Sequence, residues 1–410
     1  MKMITKIVEE SKRDARRYFH KRCQKKIEQI ERKRLKHGKS KCPHCQKEYS
    51  YRKRGKRDRE LQTSMGKIKF KIQQVECRNC GRVYRPLTEW LGLRPRERIT
   101  EELLDKAIKV AIHTSYRIAS EITKEQTGEK VSGRRIQKAI LNKAEEIRLE
   151  QEESPPEKYA IMLKDSTKGN TGKTKRGEDI NIIYGVKGKV LKVNHQTGEI
   201  KRSWIVGDIL RVSVGKDTTL TKMQHETRNL MTDGDQSIEK KVQKMENGED
   251  IVLHRCNWHL SRMFGFALYH DGLKTKGERK KYVGRLASII KYSHNHYRKH
   301  YRELIEDCGR AGYTKAVTYL KNAENELYNT KEKAVKLETR LTDGTLIKPT
   351  TLLANSPIER VMREVDRRAD IGVRWSSRGL ESITRVRLHF LYQIKSTFRS
   401  MLNSPSKCYV

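Results

Sequence analysis

The chain reads as an α/β protein with two small modules ahead of it, a zinc ribbon over residues 41–92 and a helix-turn-helix over residues 93–150. Three observations predict this. Two tight cysteine pairs, Cys42-Pro-His-Cys45 and Cys77-Arg-Asn-Cys80, stand 31 residues apart. A Gly-bearing turn separates two short helical patterns near residue 128. After the acidic, Pro-containing stretch Glu150-Gln-Glu-Glu-Ser-Pro-Pro-Glu, the hydrophobic pattern changes from helical to strand-like.

Residues 1–40 read as a basic helical arm whose apolar positions, among them Ile7, Tyr18, Ile27 and Ile30, are too sparse for a core. In the ribbon, each CxxC pair supplies two thiolates to one tetrahedral Zn²⁺, making Cys42, Cys45, Cys77 and Cys80 its ligands. Between the pairs, Leu61 to Ile72 reads as strand, Gly turn and alternating strand. Thr100 is placed to cap the helix that follows it. In the helix-turn-helix, Val131-Ser-Gly-Arg-Arg-Ile-Gln-Lys carries Arg134, Arg135 and Lys138 on the second helix, as expected of residues that face DNA.

From Tyr159 the chain alternates apolar strands with carboxylates. Tyr159 to Asp165 reads as a first strand, Asp179 to Gly188 and Lys189 to Val193 as a second and third. Arg228 to Asp233 and Asp250 to Cys256 read as a fourth and fifth. Residues 260–350 read as helical, polar and basic. Asp165 and Asp233 each end a strand, where carboxylates from neighbouring strands converge as hard oxygen ligands for a divalent cation. Asp235 is a rival for Asp233. Cys256-Asn-Trp-His259 follows the fifth strand; as a zinc site it is incomplete, two ligands without partners nearby, and it reads equally as a buried strand end with a capping histidine. Asn355-Ser-Pro-Ile-Glu359 opens a helix with Pro and an acid in its first turn.

Charge fits the same picture. The 410 residues carry 91 Lys/Arg against 51 Asp/Glu, a formal net charge of +40. Residues 1–100 hold 32 Lys/Arg and 11 Asp/Glu, so 32 − 11 = +21, about half of the total, lies in the first quarter. A polyanionic partner follows, double-stranded DNA first, with ribosome association and an anionic membrane surface as alternatives. No segment approaches the roughly 18 apolar residues of a membrane span. The scattered remaining cysteines and the lack of an apolar leader at the start suit a reducing cytoplasm.

Several motifs are set aside. Gly169-Asn-Thr-Gly172-Lys-Thr lacks the first Gly of a phosphate-binding loop, because position 167 is Thr; Lys168 to Arg176 reads as a basic hairpin. The stretch Tyr292 to His300 reads as a basic aromatic face, with His296 and His300 rather than His294 at helical spacing. Lys21 to Lys41 reads as a run that tracks phosphates. Trp258 is expected in the core.

Asp165, Asp233 with Gly234, Cys256-x-x-His259 and Asn355-Ser-Pro-Ile-Glu359-Arg together resemble the D-D-E transposases of the Mutator-like group and their prokaryotic insertion-sequence relatives. The intervals, 233 − 165 = 68 and 359 − 233 = 126 residues, agree, the second leaving room for that group's helical insertion. Gly372-Val-Arg-Trp-Ser-Ser-Arg-Gly is similar to a downstream segment of several members. The resemblance implies a ribonuclease H-like catalytic core over residues 158–262 and 351–400, split by an insertion over 263–350. It implies Asp165, Asp233 and Glu359 as catalytic ligands of Mg²⁺ or Mn²⁺, with Cys256 and His259 shaping the site's edge. Glu364 and Glu381 compete for the third role. It further implies end recognition, DNA cleavage and strand transfer by a nucleoid-associated homo-oligomer. Rival readings are a catalytically inactive zinc-ribbon regulator and a nuclease or resolvase that cuts without joining.

Overall fold

The computed structural model describes residues 2–36, 41–47, 51–94, 96–154, 157–172, 177–194, 196–220, 226–245, 248–291 and 296–403. Pro155-Pro156 of the acidic linker, residues 173–176 of the basic hairpin, residues 37–40 of the lysine run, His294 and Cys408 lie outside them. The chain divides into two compact units, Met1–Ile140 and Leu141–Val410.

In the first unit, helix α1 (Lys2–Lys36) precedes a three-stranded antiparallel sheet of β1 (Tyr51–Thr63), β2 (Gly66–Cys77) and β3 (Val83–Tyr84). The first half of β2 alternates: Ile68, Phe70 and Ile72 are buried while Lys67, Lys69 and Lys71 are exposed. The buried set packs with Leu61, Leu87 and the half-buried Phe19, Ile27 and Ile30 of α1. Of the arm's sparse apolar residues, Ile27 and Ile30 do reach a core, on the inward face of β2, whereas Ile7 and Tyr18 stay exposed as expected. Glu31 secures the contact by accepting the Gln73 N–H at 2.9 Å.

A short helix, α2 (Pro86–Trp90), leads to three further helices, α3 (Glu101–Ala111), α4 (Tyr116–Thr127) and α5 (Gly133–Glu153). Thr100 occupies the N-cap position of α3, but its hydroxyl donates to the Gln62 carbonyl at 3.2 Å instead of capping. Ser115 caps α4 by accepting the Ile118 N–H, and Gly128 ends it in the left-handed region at φ 78°. On α5, Ile136 and Ile140 are buried, Arg134 and Lys138 are exposed and Arg135 is half-buried.

The second unit is built on a seven-stranded mixed sheet. Its strands are β4 (Ile161–Gly169), β5 (Glu178–Val193), β6 (Ile200–Val214), β7 (Asn229–Thr232), β8 (Val252–Arg255), β9 (Lys336–Leu341) and β10 (Leu346–Thr351). The order is β10-β9-β5-β4-β7-β8, with β6 along the other edge of β5. β4, β5 and β6 are antiparallel neighbours, while β4, β7 and β8 run parallel. Helix α6 (Gln236–Gln243) covers one face, where Ile238 and Val242 pack on Met162, Ile183 and Leu230. Helices α7 (Asn257–His270), α8 (Lys276–Lys291), α9 (Tyr297–Arg310) and α10 (Thr314–Glu332) bury a core of their own around Leu260, Phe264, Tyr301, Leu304 and Leu320. Helices α11 (Ser356–Ala369) and α12 (Ser377–Asn403) complete the unit, α11 against β4 and α12 against β6.

Three strand expectations are corrected. Asp165 does not end a strand, because β4 continues to Gly169 as the partner of β5, with Asp165 opposite Ile182. The predicted second and third strands are one, β5, and the strand that follows it, β6, falls where none was expected. Two strand glycines serve close packing: a Cβ at Gly188 would sit 2.8 Å from the Glu338 carbonyl oxygen, and one at Gly207 2.1 Å from that of Gly185. Finally, the stretch expected to be helical as far as 350 ends in the β9–β10 hairpin.

Candidate active site and metal centre

In the first unit, each cysteine pair forms a knuckle of the same construction. The Gln46 N–H donates to the Cys42 carbonyl at 2.9 Å and the Gly81 N–H to the Cys77 carbonyl at 2.8 Å. Both turns need a left-handed residue at that position, Gln46 at φ 57° and Gly81 at φ 68°. The knuckles bring Cys42 Sγ within 3.8 Å of Cys80 Sγ, and Cys45 Sγ within 3.7 Å of Cys77 Sγ. All four sulfurs lie within 4.8 Å of one another. A tetrahedron with Zn–S bonds of about 2.3 Å has sulfurs about 3.8 Å apart, so the donor set fits zinc. The backbone N–H groups of Cys80 and Asn79, which favour the thiolate, bring Cys77 down to about 7.

In the second unit, the sheet topology sets the acidic residues. β7 stops at Thr232, so Asp233 leaves the sheet beside the segment of β4 that carries Asp165. The Asp233 carboxylate accepts the Asp235 N–H at 3.1 Å, while Asp235 itself is spent as the N-cap of α6, accepting the Ser237 N–H at 2.8 Å. Glu359 lies in the first turn of α11 and is 33% exposed, its Oε1 3.9 Å from His259 Nε2. α11 is tied to β4 by the Thr167 hydroxyl, which donates to Asp366 at 2.8 Å.

The carboxylates feel one another. Burial, with the nearby charges of Asp233 and Glu359, pushes Asp165 up to about 7, against the opposing Ser166 N–H bond. His259 is held below its ordinary value by burial, although the Asp233 and Glu359 charges act to raise it. These groups are less tightly gathered than the thiols: among the described residues, the four cysteines form the cluster of potential ligands mutually within 4.8 Å. The rival acids are engaged elsewhere. Glu364 binds Arg387 at 2.7 Å and Arg367 at 2.5 Å, and Glu381 binds Arg385 at 2.9 Å.

Cys256 is fully buried at the N-terminus of α7, and its sulfur accepts the Asn355 N–H at 3.3 Å. This bond ties the start of α7 to the residue preceding α11, so the Cys-x-x-His step fixes where His259 and Glu359 meet. Burial raises the thiol, keeping it protonated.

Two supporting features escape sequence reasoning. Lys164, beside Asp165 but on the other face of β4, is 2% exposed and pairs with Asp217 at 2.9 Å. Arg255 lies over Gly234 (φ 95°), so close that a Cβ there would fall 1.3 Å from its Nη1. It pairs with Glu326 at 2.9 Å and donates to the Tyr319 hydroxyl at 3.0 Å, both on α10. The Arg255 N–H also donates to Thr330 Oγ1 at 2.8 Å, and Asn329 Nδ2 to the Leu253 carbonyl at 3.1 Å. α10 is thereby fixed to β8 beside Asp233. The signal for Lys164 was a lysine inside an apolar strand. Nothing in the spacing marks Arg255.

No protein-family profile matches the chain, and no curated protein is found to be similar to it. No helix of the described residues is long and apolar enough to cross a membrane.

Proposed function

We propose that this protein is a D-D-E DNA transposase of the prokaryotic insertion-sequence type, with Asp165, Asp233 and Glu359 as its catalytic carboxylates. The observation that carries the reading is the parallel register of β4 and β7, which sets Asp165 beside Asp233, with Glu359 in the first turn of α11. The charges of Asp233 and Glu359 add to burial in raising Asp165. Supporting it is the strand order β6-β5-β4-β7-β8, three antiparallel strands and then two parallel to the first, which suits a ribonuclease H-like core. The pairing of Glu364 and Glu381 with arginines favours Glu359 as the third acid.

Mg²⁺ or Mn²⁺ held by these acids would supply Lewis acidity toward a phosphodiester. The residues themselves order the reaction. Asp165, Asp233 and Glu359 would hold their oxygens toward the phosphate, with His259 shaping the edge of the site 3.9 Å from Glu359. A water oxygen bonds to phosphorus, the bond to the 3′ oxygen breaks, and that oxygen leaves as a 3′-hydroxyl. The hydroxyl then attacks a target phosphate, displacing a 3′ oxygen of the target strand. Arg134, Arg135 and Lys138, on the helix after the Gly128 turn, are proposed to read the element's ends in a helix-turn-helix, alongside the zinc ribbon. Assembly as a homo-oligomer on paired ends, in the nucleoid-associated cytoplasm, belongs to the same proposal.

The test is cleavage and strand transfer on labelled DNA carrying the termini that flank the gene, with Mg²⁺. Joined product from the wild type, abolished by Asp165→Ala, supports the reading. Hydrolysis without joining on precut ends makes the protein a nuclease. Tight end binding with no product at all makes it a regulator.

A further inference from the structure

Trp258 is not in the core. It is 50% exposed on α7, next to His259, whose ring its own ring meets edge-on at 4.7 Å. One face of α7 is buried through Leu260, Phe264 and Leu268. On a surface helix the opposite face is ordinarily polar. Here it carries Met263 at 44%, Phe266 at 48% and Tyr269 at 42% exposure. Cations are interleaved with the rings: the Arg262 guanidinium lies 5.0 Å from the Trp258 ring centre and 5.8 Å from that of Phe266, and Lys274 lies 3.8 Å from Tyr269. Met263 and Phe266 open into a groove of about 550 Å³ between α7 and α10, with Lys315, Thr318 and Asn322 along it.

We propose that the Trp258–Arg262–Phe266 face of α7 is a stacking platform for unpaired nucleobases of the DNA strand that the acidic site cuts. Flat rings suit flat bases, and the interleaved cations suit the phosphates between them. A lipid surface would need a broad aliphatic face, which α7 lacks. The row begins beside His259, so a strand leaving the carboxylates runs onto it. The inference rests on the transposase reading for its substrate and adds that the substrate is unpaired next to the cut.

The test is fluorescence anisotropy of the full chain with a labelled thymidine oligonucleotide and with a duplex of equal length, at one salt concentration. Trp258→Ala and Phe266→Ala are each expected to weaken single-strand binding about tenfold, with duplex binding changed less than about twofold because phosphate contacts carry it. Trp258→Phe keeps the affinity but loses the quenching of tryptophan emission that the oligonucleotide causes in the wild type. Equal losses on both DNAs, or none on either, overturn the platform and leave the transposase reading standing, as does a wild type that cuts duplex ends yet fails to bind the oligonucleotide. A wild type that binds neither DNA overturns both.

Discussion

The two candidate metal centres are built on opposite principles. The thiol site is assembled locally: two four-residue knuckles with matching hydrogen bonds leave paired sulfurs 3.7 and 3.8 Å apart, already at zinc spacing. The carboxylate site is assembled globally, from two strands and a helix separated by 68 and 126 residues. Burial raises Asp165 to about 7, and the neighbouring charges of Asp233 and Glu359 add to the effect. A structural site can be tight because neutral thiols tolerate proximity until the metal takes their protons. A site for an exchangeable cation is kept looser by its own charge, and the scaffold must hold the acids near one another against that repulsion.

The largest effect is expected at the carboxylates: Asp165→Ala, Asp233→Ala and Glu359→Ala should each lower cleavage by about 10³-fold or more, with DNA binding retained. Glu364→Ala and Glu381→Ala should leave most activity, because their partners are Arg387 and Arg385. At the thiols, metal analysis should return close to one zinc per chain, lost in Cys42→Ser together with the thermal transition of the first unit. A zinc-free protein with that transition intact would remove the ribbon from the account.

Intermediate effects test the scaffold. Glu326→Ala strands the buried Arg255 guanidinium and should cost about 3–5 kcal/mol in denaturant unfolding. An unchanged midpoint would mean that α10 is not held to β8 by this pair. The raised Asp165 makes a pH prediction with a definite sign. Its folded value lies above the unfolded value of about 3.9, so the folded state holds a proton that the unfolded state has lost. Without added Mg²⁺, this contribution is full below about pH 4 and is lost as pH rises through about 7. Asp165→Asn should therefore melt above the wild type at pH 8, with the gap closing toward pH 4. The smallest effect is expected at Gln46, held at φ 57° where its counterpart is Gly81. Gln46→Gly should raise the stability of the zinc-loaded ribbon by up to about 1 kcal/mol.

What could be read in the sequence follows the same division. The thiol site was legible because its chemistry is local, with spacing and residue type enough. The strands before Asp233 and Cys256 were legible as short apolar runs. Asp165 was found without its strand's true end, because β4 continues through polar Ser166, Thr167 and Lys168 as a partner of β5. β6 escaped notice since most of its residues are half-buried, leaving no clean alternation, and Gly207 interrupts it for packing against Gly185. The β9–β10 hairpin was lost in a basic region whose helical pattern stops at Glu332. Trp258 was misplaced by a general preference of indoles for cores, which carries no information about which face of α7 meets solvent. The Arg255–Glu326 pair joins residues 71 apart and could be seen only once β8 and α10 were adjacent.

The most direct measurement of the central claim is Mn²⁺ binding, followed by electron paramagnetic resonance on the zinc-loaded protein. Saturable binding is expected, lost in each of Asp165→Ala, Asp233→Ala and Glu359→Ala and retained in Glu364→Ala and Glu381→Ala. Binding that survives all three substitutions, or that disappears with Glu364 instead, would contradict the claim.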